Sequence, residues 1–438
     1  MTATEQNSAK DQSTAAGSLS KGKSFDTTIE RMGHGGVGIG AAPDGRVCFV
    51  PGAFPGDHVT VTATKVKKSF VEAALSSVVQ PGPYRVESAC PAAQRGAGCC
   101  DFAELDPAAE PDIKVTVLLD QLRRVAHIED APAVETIDVA PHRGWRTRVR
   151  LGVDKQGRAG LRKRGSKELV TDVACSQLIP GLVDGLVGPD ARTFNPGAEV
   201  IAVMDSDGNR HVVETRKAPR GRRIETIREV IEAPTENVVQ RADGHEFRFP
   251  PTAFWQAHVG APDVYTSLAR EWLGAEDHGN GGELDAAGGA AGNAVAWDLY
   301  GGVGLFVPAL ADVTAPQGGH TTVYSVDYSP AAAAAQPGLA GIDVHFRTAK
   351  VEQVASQLPQ PASVILDPPR TGAGNDVVAA VAAAKPQRIL HIGCDPATFA
   401  RDLAAWSEHG YRAKRLAMVN AFPGTHHFET LALLVPLA

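Results

Sequence analysis

Apolar and polar residues alternate with two different periods along this chain, and the change of period marks its main division. Between about residues 25 and 80, strand-like runs with a period of two are separated by PDG and PGD turn signals; they are RVCFVPGAF, HVTVTATKVKK and FVEAALSSVVQ. From about residue 246, short apolar strands alternate with alanine-rich helical segments; the strands are AVAWDLY, TTVYSVD, SVILD, RILHI and TLALLV. The pattern predicts a small β-barrel in the amino-terminal part and an α/β sheet in the carboxyl-terminal part.

Composition and turn signals divide the chain further. We predict a disordered tail over 1–22, a β-barrel over 23–82, a basic, β-rich central domain over 83–245 and an α/β domain over 246–438. Residues 274–294 are rich in Gly, Ala and Asn, which predicts a flexible insertion. The glycines between Gly33 and Gly40 follow no strand and precede no Lys-Ser or Lys-Thr pair, so they predict turns and not a phosphate-binding loop.

The composition is that of a multi-domain globular protein. The 438 residues are 43% hydrophobic and 21% charged, enough for two or three cores at about 150 residues per domain. No apolar run approaches the roughly 20 residues that span a bilayer, so we expect a cytoplasmic protein without a membrane anchor. We also expect a monomer. Six cysteines, unevenly spread, do not form a disulfide framework, so we expect reduced thiols.

Positive charge is concentrated in the central region although the net charge is −7. The segment from Arg143 to Lys167 has ten Lys or Arg residues against one acid, Asp154, and the segment from Arg216 to Arg223 adds five more. The first segment alternates apolar and basic residues across a KQGR turn, which predicts a hairpin with a cationic face. Such a face suits RNA phosphates, and a solvated basic surface is the alternative.

Cys394 and Glu429 are the candidates for covalent catalysis. Cys394 stands between an apolar strand and a helix that Asp395 can cap, with Pro396 in the first turn and Gly410 at the end. Amide dipoles at such a position favour a thiolate. Glu429 precedes the last apolar strand and can act as a base if the fold brings it close. The alternatives are a small buried cysteine and a surface carboxylate.

Three further markers follow strands of the α/β region. They are the glycine turn in WDLYGGVGLF, Asp327 after TTVYSVD, and Asp367 in VILDPPR. The carboxyl ends of parallel strands meet at one edge of a sheet, where open α/β sheets bind their ligands. A carboxylate there can accept hydrogen bonds from the hydroxyls of a ribose. Helix capping is the alternative for both acids.

These segments resemble those of the RNA uridine-C5 methyltransferases, which use S-adenosylmethionine. The segments AFWQAH, DLYGGVG, LDPPR, GCDPATFARDL and FPGTHHFET follow in the family's order, and the barrel resembles the TRAM RNA-binding domain of the ribosomal-RNA members. The resemblance implies a multi-domain α/β protein with a TRAM-like or OB-like β-barrel, a β-rich central domain and a Rossmann-like class I methyltransferase domain. It also implies that Cys394 is the nucleophile, that Glu429 is the base, and that the contacts to the cofactor S-adenosylmethionine are Gln256, Tyr300, Asp327 and Asp367.

The implied reaction yields 5-methyluridine in RNA. Addition of Cys394 to uracil C6 lets C5 attack the methyl group, after which Glu429 removes the C5 proton and the thiolate leaves. The target base must be flipped out of its stack. The barrel favours ribosomal RNA, 23S rRNA in particular, over transfer RNA as the partner.

The chain departs from the family pattern at its other cysteines and at two cofactor-side positions. Many members hold a four-iron cluster with C-x5-C-x2-C and a distant cysteine, whereas the candidates here are Cys90, the adjacent pair Cys99 and Cys100, and Cys175. Because neighbouring side chains in extended backbone diverge, this spacing favours reduced structural cysteines, and we predict no metal; a four-iron cluster, which would need a tight turn at Cys99 and Cys100, is the less favoured alternative. Leu305 and Lys350 stand where the family often has other side chains, which puts cofactor contacts there in question.

Other functions stay open at this point. An amino-group methyltransferase would use the DPPR motif, but Arg370 replaces the stacking aromatic and the enzyme would need no thiolate. Cytosine-C5 methylation is disfavoured because that motif contains no cysteine after a proline. A transfer-RNA uridine methyltransferase and a non-catalytic RNA-binding protein are the remaining alternatives.

Overall fold

A computed structural model describes residues 19–220, 223–274, 292–315, 319–333 and 336–437. The chain forms two compact units, one ending at Arg85 and the other beginning at Val86. Most of the predicted tail over 1–22 and of the predicted insertion over 274–294 lies outside the described residues. Within the described ranges, no helix has the length and apolar character needed to cross a membrane.

The amino-terminal unit is a six-stranded sheet. Its strands are β1 (Ser24–Thr28), β2 (Arg31–Gly33), β3 (Val37–Ala41), β4 (Val47–Pro51), β5 (His58–Val66) and β6 (Phe70–Gln80), hydrogen-bonded in the order β1-β5-β6-β4-β3-β2. Alternate residues of β5, among them Val59 and Val61, are buried in a common core with Cys48 of β4. The all-β prediction is confirmed, and so are the turns among the glycines, since Gly35 and Gly36 both have positive φ angles. Closure of the sheet into a barrel stays a prediction.

A buried ion pair fixes the carboxyl-terminal end of this unit. The Asp57 carboxylate accepts hydrogen bonds from the backbone N–H of Phe54 at 2.7 Å and of Gly82 at 2.8 Å, and the Arg85 guanidinium lies 2.7 Å away. Burial alone would raise the pKa of Asp57, but Arg85 and the two N–H groups hold it below its ordinary value. Because both charged groups are largely shielded from water, removing one leaves the other without compensation.

The second unit begins with a β-rich region and two helices. The helices are α1 (Pro91–Gln94) and α2 (Glu110–Val125). The strands are β7 (Val134–Asp138), β8 (Arg148–Val153), β9 (Ala159–Arg162), β10 (Leu169–Val170), β11 (Glu199–Met204), β12 (Arg210–Arg220), β13 (Arg223–Glu232), β14 (Val238–Ala242) and β15 (His245–Phe249). An antiparallel sheet has the order β10-β9-β8-β11-β12-β13, and β14 pairs with β15. The predicted hairpin across the KQGR turn is confirmed as β8 and β9.

The rest of the unit alternates strands and helices. The helices are α3 (Ala261–Gly274), α4 (Val307–Thr314), α5 (Val351–Val354), α6 (Asn375–Ala383) and α7 (Pro396–Glu408). The strands are β16 (Asn293–Leu299), β17 (His320–Asp327), β18 (Val344–Thr348), β19 (Ser363–Leu366), β20 (Arg388–Gly393), β21 (Tyr411–Asn420) and β22 (Glu429–Pro436). They form an eight-stranded sheet in the order β18-β17-β16-β19-β20-β22-β21-β7. The first five strands are parallel to one another and β22 runs antiparallel between β20 and β21, so the Rossmann-like fold is confirmed.

Helices cover both faces of this sheet, as the side chains of β20 show. Leu390 and Ile392 join the apolar cluster that contains residues of α3 and α4. His391 points to the opposite face, where it accepts a hydrogen bond of 2.8 Å from the indole N–H of Trp406 in α7. A strand buried on both faces explains why RILHI is almost continuously apolar.

The five strands named from the sequence are all present, and several others were not named. The strand β7 pairs with β21 as the edge of the eight-stranded sheet although it precedes that sheet by more than 150 residues in the chain. The β14–β15 hairpin crosses the predicted boundary at residue 245. The division of this unit into domains over 83–245 and 246–438 stays a prediction.

Replacement of Asp57 by Asn is expected to lower the free energy of unfolding by about 3 kcal/mol at pH 7, because Arg85 loses its buried carboxylate. Since the pKa of Asp57 is lowered by folding, its contribution is present above about pH 4 and lost as the pH falls through the folded-state pKa. The difference between wild type and variant should therefore shrink toward pH 3 in denaturant titrations. Asp44→Asn, in an exposed pair with Arg46, is the control and should have almost no effect.

Candidate active site

A cavity of about 680 Å³ lies at the carboxyl edge of the parallel strands. The six residues predicted from the sequence all line it: Gln256, Tyr300, Asp327, Asp367, Cys394 and Glu429. Residues more than 170 positions apart in the chain are thus brought to one place. The reason is geometric, because strands that run in the same direction end at the same edge of the sheet.

Cys394 lies between the end of β20 and the start of α7. The Asp395 side chain caps the helix by accepting hydrogen bonds from the N–H groups of Ala397 at 3.1 Å and Thr398 at 3.0 Å, as predicted. Pro396 begins the helix, and Gly410 follows its end with a φ of 84°. The Thr398 hydroxyl donates to the carbonyl of Arg370 at 3.0 Å, which ties this helix to the Pro-Pro-Arg turn.

Antiparallel pairing places Glu429 beside Cys394. In the register between β20 and β22, Gly393 is opposite Thr430, and the Thr430 hydroxyl donates to the Gly393 carbonyl at 2.7 Å. Continuing that register by one residue puts Cys394 opposite Glu429. Side chains directly opposite on neighbouring strands have Cβ atoms about 5 Å apart. The register therefore explains how residues 35 positions apart in the sequence line one cavity.

The Glu429 carboxyl is desolvated. Only 6% of the residue is exposed, and its Oε2 atom has no hydrogen-bond partner among the residues that the structure describes. Burial, with the nearby Asp367 carboxylate, raises the pKa of Glu429 well above its ordinary value, while Arg370 opposes that shift. A buried carboxyl with a free oxygen and a raised pKa has the properties of a general base or acid.

The acids at the ends of β17 and β19 face the same cavity. Asp327 accepts hydrogen bonds from the N–H groups of Gly302 at 3.1 Å and Ser329 at 2.5 Å, so the turn after β16 and the chain after β17 both hold it. Burial and the Asp327 charge raise the pKa of Asp367 to about 7. The structure thus gathers several carboxyl groups around one space.

The Cys394 thiol differs from the expectation based on helix dipoles alone. Burial, together with the carboxylates of Glu429 and Asp367, raises the pKa of Cys394 to about 12, and Arg370 opposes that shift only in part. The predicted tendency toward a thiolate is therefore outweighed in this arrangement. Desolvation and two negative neighbours act on the sulfur more strongly than the amide dipoles of one helix end.

The glycine turn after β16 is constrained. Tyr300 has a φ of 61°, which is uncommon for a side chain of its size, and the following Gly301 leaves no room for a Cβ because Asp298 Oδ2 would lie 2.1 Å from it. The buried Asp298 carboxylate accepts a hydrogen bond of 2.9 Å from the Ser325 hydroxyl. This network fixes the turn that carries Tyr300 and Gly302 into the cavity.

Three aromatic residues near the cavity were not singled out as site residues from the sequence. Phe254 and Tyr328 line it and are 70% and 72% exposed, unusual for large aromatic side chains. Tyr265 of α3 is buried, with a hydroxyl that has no partner in the described ranges, and burial and the site's Glu429 raise its pKa. The segment AFWQAH contained a signal for Phe254, but only the fold relates Tyr265 to the site.

The two positions that depart from the family pattern have different surroundings. Leu305 is buried in the apolar cluster and does not line the cavity. Lys350 lines the cavity and lies 3.8 Å from the Glu352 carboxylate. A lysine beside an acid-rich cavity can still contribute positive charge there.

The basic hairpin β8–β9 is only partly available as a cationic face. The Arg148 guanidinium turns inward and donates to the carbonyls of Trp255 at 3.3 Å and Pro251 at 3.1 Å. Arg150 and Arg162 both pair with Glu199 of β11. Binding of RNA phosphates by this hairpin would therefore rely on its other basic side chains.

The four other candidate cysteines lie together outside the cavity. The Sγ atoms of Cys90, Cys99, Cys100 and Cys175 are all within 4.8 Å of one another. A turn at residues 98–99 lets both members of the adjacent pair face the same point, which extended backbone would not allow.

Comparisons with known proteins show the family and the fold to which this chain is similar. The family model tRNA (Uracil-5-)-methyltransferase matches residues 347–436, and the TRAM domain model matches residues 19–75. An uncharacterized RNA methyltransferase of Corynebacterium efficiens is 54% identical over 419 residues, 95% of each chain. The 23S rRNA (uracil(1939)-C(5))-methyltransferase of Shewanella sediminis is 27% identical over 448 residues, 94% of this chain and 97% of that protein. The structure of Pyrococcus abyssi tRNA (uracil-54, C5)-methyltransferase in complex with S-adenosyl-L-homocysteine has a similar fold, with a TM-score of 0.65 at 21% identity, and covers 93% of this chain and 100% of that one.

The rate at which iodoacetamide alkylates Cys394 is expected to be low at pH 8, because only the thiolate reacts. This rate should rise about tenfold per pH unit until the pH approaches the pKa of about 12. At pH 10, Glu429→Gln should speed the reaction by removing a negative neighbour, and Arg370→Gln should slow it by removing a positive one. Mass spectrometry of the peptide that contains residue 394 measures the rate, with Cys394→Ala as the blank. Rates that move in the same direction in both variants would contradict the electrostatic account.

Proposed function

Because this chain belongs to the S-adenosylmethionine-dependent uracil-C5 RNA methyltransferases with a TRAM domain, we propose that it methylates C5 of a uridine in 23S ribosomal RNA through a covalent bond to Cys394. The observation that supports the mechanism is that Cys394 and the desolvated Glu429 directly adjoin the last pair of the β20–β22 register, Gly393 with Thr430, and line the same cavity. The family assignment favours uracil C5 over an exocyclic amino group as the methyl acceptor.

The cavity fits S-adenosylmethionine by charge. This cofactor supplies a methyl group from a positively charged sulfonium centre, and the cavity is lined by Asp327, Asp367 and Glu429. Burial, and next to it the repulsion between neighbouring carboxylates, raises the pKa of Asp367 and Glu429, and a cation there relieves that repulsion. Asp327 already accepts two backbone hydrogen bonds, and each oxygen keeps a lone pair for a ribose hydroxyl. Gln256 and Tyr300 complete the proposed cofactor contacts.

Cys394 is the proposed nucleophile. Burial and the neighbouring carboxylates raise its pKa, and a positive charge in the cavity favours loss of its proton because the cation attracts the thiolate and opposes that repulsion. Its sulfur adds to uracil C6, so that C5 becomes nucleophilic enough to take the methyl group. Glu429 then removes the proton from C5, and the Cys394–C6 bond breaks to release 5-methyluridine and the thiolate.

RNA binding is assigned to the amino-terminal unit and to the basic hairpins of the second unit. The TRAM match supports the first, and the excess of Lys and Arg from Arg143 to Lys167 supports the second. The exposed rings of Phe254 and Tyr328 offer faces on which a flipped base or an adenine can stack. The ribosomal-RNA assignment is supported by the Shewanella relative, and transfer RNA is the second candidate because of the name of the matching family model.

A covalent trap tests the proposed roles of both residues. RNA with 5-fluorouridine at the target should form a complex that resists denaturing gels, because fluorine at C5 cannot be removed as a proton, and Cys394→Ala should abolish it. With unmodified RNA, Glu429→Gln should reduce turnover by about 100-fold or more and accumulate the same kind of adduct, because the methylated intermediate keeps its C5 proton.

The control for the trap is Cys48→Ala, which removes a buried thiol from the amino-terminal unit and should retain the adduct. An adduct of equal yield in Cys394→Ala would overturn the assignment of the nucleophile. Turnover of unmodified RNA at the wild-type rate in Glu429→Gln would overturn the assignment of Glu429 as the base.

Mapping of 5-methyluridine by mass spectrometry in cells that lack this protein tests the RNA substrate. The expected result is the loss of one 5-methyluridine from 23S rRNA, restored by wild type and not by Cys394→Ala. Loss of 5-methyluridine from transfer RNA, with the 5-methyluridine of ribosomal RNA unchanged, would favour transfer RNA as the substrate.

A further inference from the structure

The cysteine cluster in the second unit has the dimensions of a binding site for one metal ion. The Sγ of Cys175 lies 3.7 Å from that of Cys90 and 3.3 Å from that of Cys100, and all four sulfurs, including that of Cys99, fall within 4.8 Å of one another. Four thiolates that surround one zinc ion at about 2.3 Å in a tetrahedron are about 3.8 Å apart. The sulfur separations therefore match a single tetrahedral ion.

The same separations do not fit a four-iron cluster. Each thiolate of such a cluster binds a different iron atom at a corner of the cube, so the sulfurs must stand roughly 6 Å apart. A cavity of about 90 Å³ borders Cys90 and Cys100, but Cys99 and Cys175 do not line it, so this space lies to one side of the sulfurs and not between them. The residues present disagree with the cluster that the family resemblance implies.

We propose that Cys90, Cys99, Cys100 and Cys175 bind one Zn²⁺ ion. A hydrogen bond in the surroundings favours a thiolate ligand. The backbone N–H of Gln177 donates to the Cys175 sulfur at 3.5 Å. Hydrogen bonds from backbone N–H groups to the ligands stabilise the negative charge of a zinc tetrathiolate.

The ion would join segments that hold the loop leading to Glu429, here called the base loop (residues 422–428). The N–H of Phe102, two residues after Cys100, donates to the Gly424 carbonyl at 3.1 Å. The Gln177 side chain, two residues after Cys175, donates to the Pro423 carbonyl at 2.9 Å. The Asp101 carboxylate accepts a hydrogen bond from the backbone N–H of His426 and contacts the His426 ring at Nδ1.

The zinc site is thus inferred to position the base loop, and this second part rests on the proposed role of Glu429. The sequence distance between the cysteines and the loop is more than 240 residues, so chain connectivity alone does not hold them together. Two residues after Cys100, and again two residues after Cys175, the chain donates a hydrogen bond to the base loop, so a metal ion held by these cysteines would hold both of the donating segments.

Metal analysis of the full chain, purified without oxygen from cells supplied with iron, tests the ion. The expected result is about one zinc per chain, with neither acid-labile sulfide nor the broad visible absorption of an iron–sulfur cluster. Replacing zinc by Co²⁺ should give the intense visible bands of a tetrahedral thiolate site. About four irons with sulfide, or a metal-free protein with a disulfide between Cys100 and Cys175, would overturn the proposal.

Matched variants separate the two parts of the inference. Cys175→Ser should weaken Co²⁺ binding about 100-fold, whereas Cys48→Ser, at a buried cysteine outside the cluster, should leave it unchanged. Because Cys175→Ser can also misfold, zinc is removed from the wild type with a chelator as a second measurement, and the melting temperature should fall and recover with added Zn²⁺. An unchanged melting temperature would contradict a structural ion.

Hydrogen exchange in the base loop tests its positioning. Chelated protein should exchange faster at residues 422–428 than zinc-loaded protein, while the core strand β16 stays protected. Equal exchange in both states would overturn the positioning part and leave the zinc site intact. The covalent trap with 5-fluorouridine RNA in the zinc-loaded protein reports separately on the proposed catalytic roles.

Discussion

The candidate site depends on the antiparallel pairing of β22 with β20. The pairing runs from Ile389 with Leu434 to Gly393 with Thr430, and each step along it alternates the side chains between the two faces of the sheet. A shift of one residue would move Glu429 away from Cys394 and turn its carboxyl group toward the other face of the sheet. Because β22 is buried on both faces, burial alone does not select this register, which is held by the pairing of β22 with β20 on one side and β21 on the other and by the hydrogen bond from Thr430 to Gly393.

Gathering several carboxyl groups and a thiol in one buried cavity is electrostatically unfavourable, and this repulsion favours the binding of a positively charged ligand. The cavity gathers Asp327, Asp367 and Glu429 around a thiol, and burial with mutual repulsion raises the pKa of Asp367, Glu429 and Cys394. The site is accordingly arranged for a positively charged ligand, whose binding relieves the repulsion and makes the thiolate easier to form. In the proposed mechanism, charge complementarity links the binding of S-adenosylmethionine to the activation of Cys394.

The region before the parallel strands supports this site from outside the cavity. The Lys114 ammonium, with 1% of the side chain exposed, donates to Glu110 and to Asn420, each at 2.6 Å, and Glu110 accepts the Gly424 N–H at 2.9 Å. The base loop is therefore held by a buried charge pair on α2 as well as by the segments that follow Cys100 and Cys175. A buried pair of this kind tolerates little displacement, because separating the charges leaves both desolvated. The central region is in this way part of the framework of the site.

The sequence by itself determined most of the local structure and the identity of the candidate residues. Strand periodicity located the five apolar strands, and helix capping at Asp395 followed from residue types within a few positions of one another. The resemblance to a known family supplied the candidate roles, and all six residues line one cavity.

Other features depend on residues distant in the chain, and only the tertiary structure decided them. They include the pairing of β7 with β21, the position of Tyr265 and the meeting of four cysteines whose spacing had predicted no metal. The ionisation of Cys394 belongs with them. Its local helix favours the thiolate, but burial and the carboxyl groups of Asp367 and Glu429 outweigh that effect, and their distance from the sulfur is set by the packing of the whole sheet.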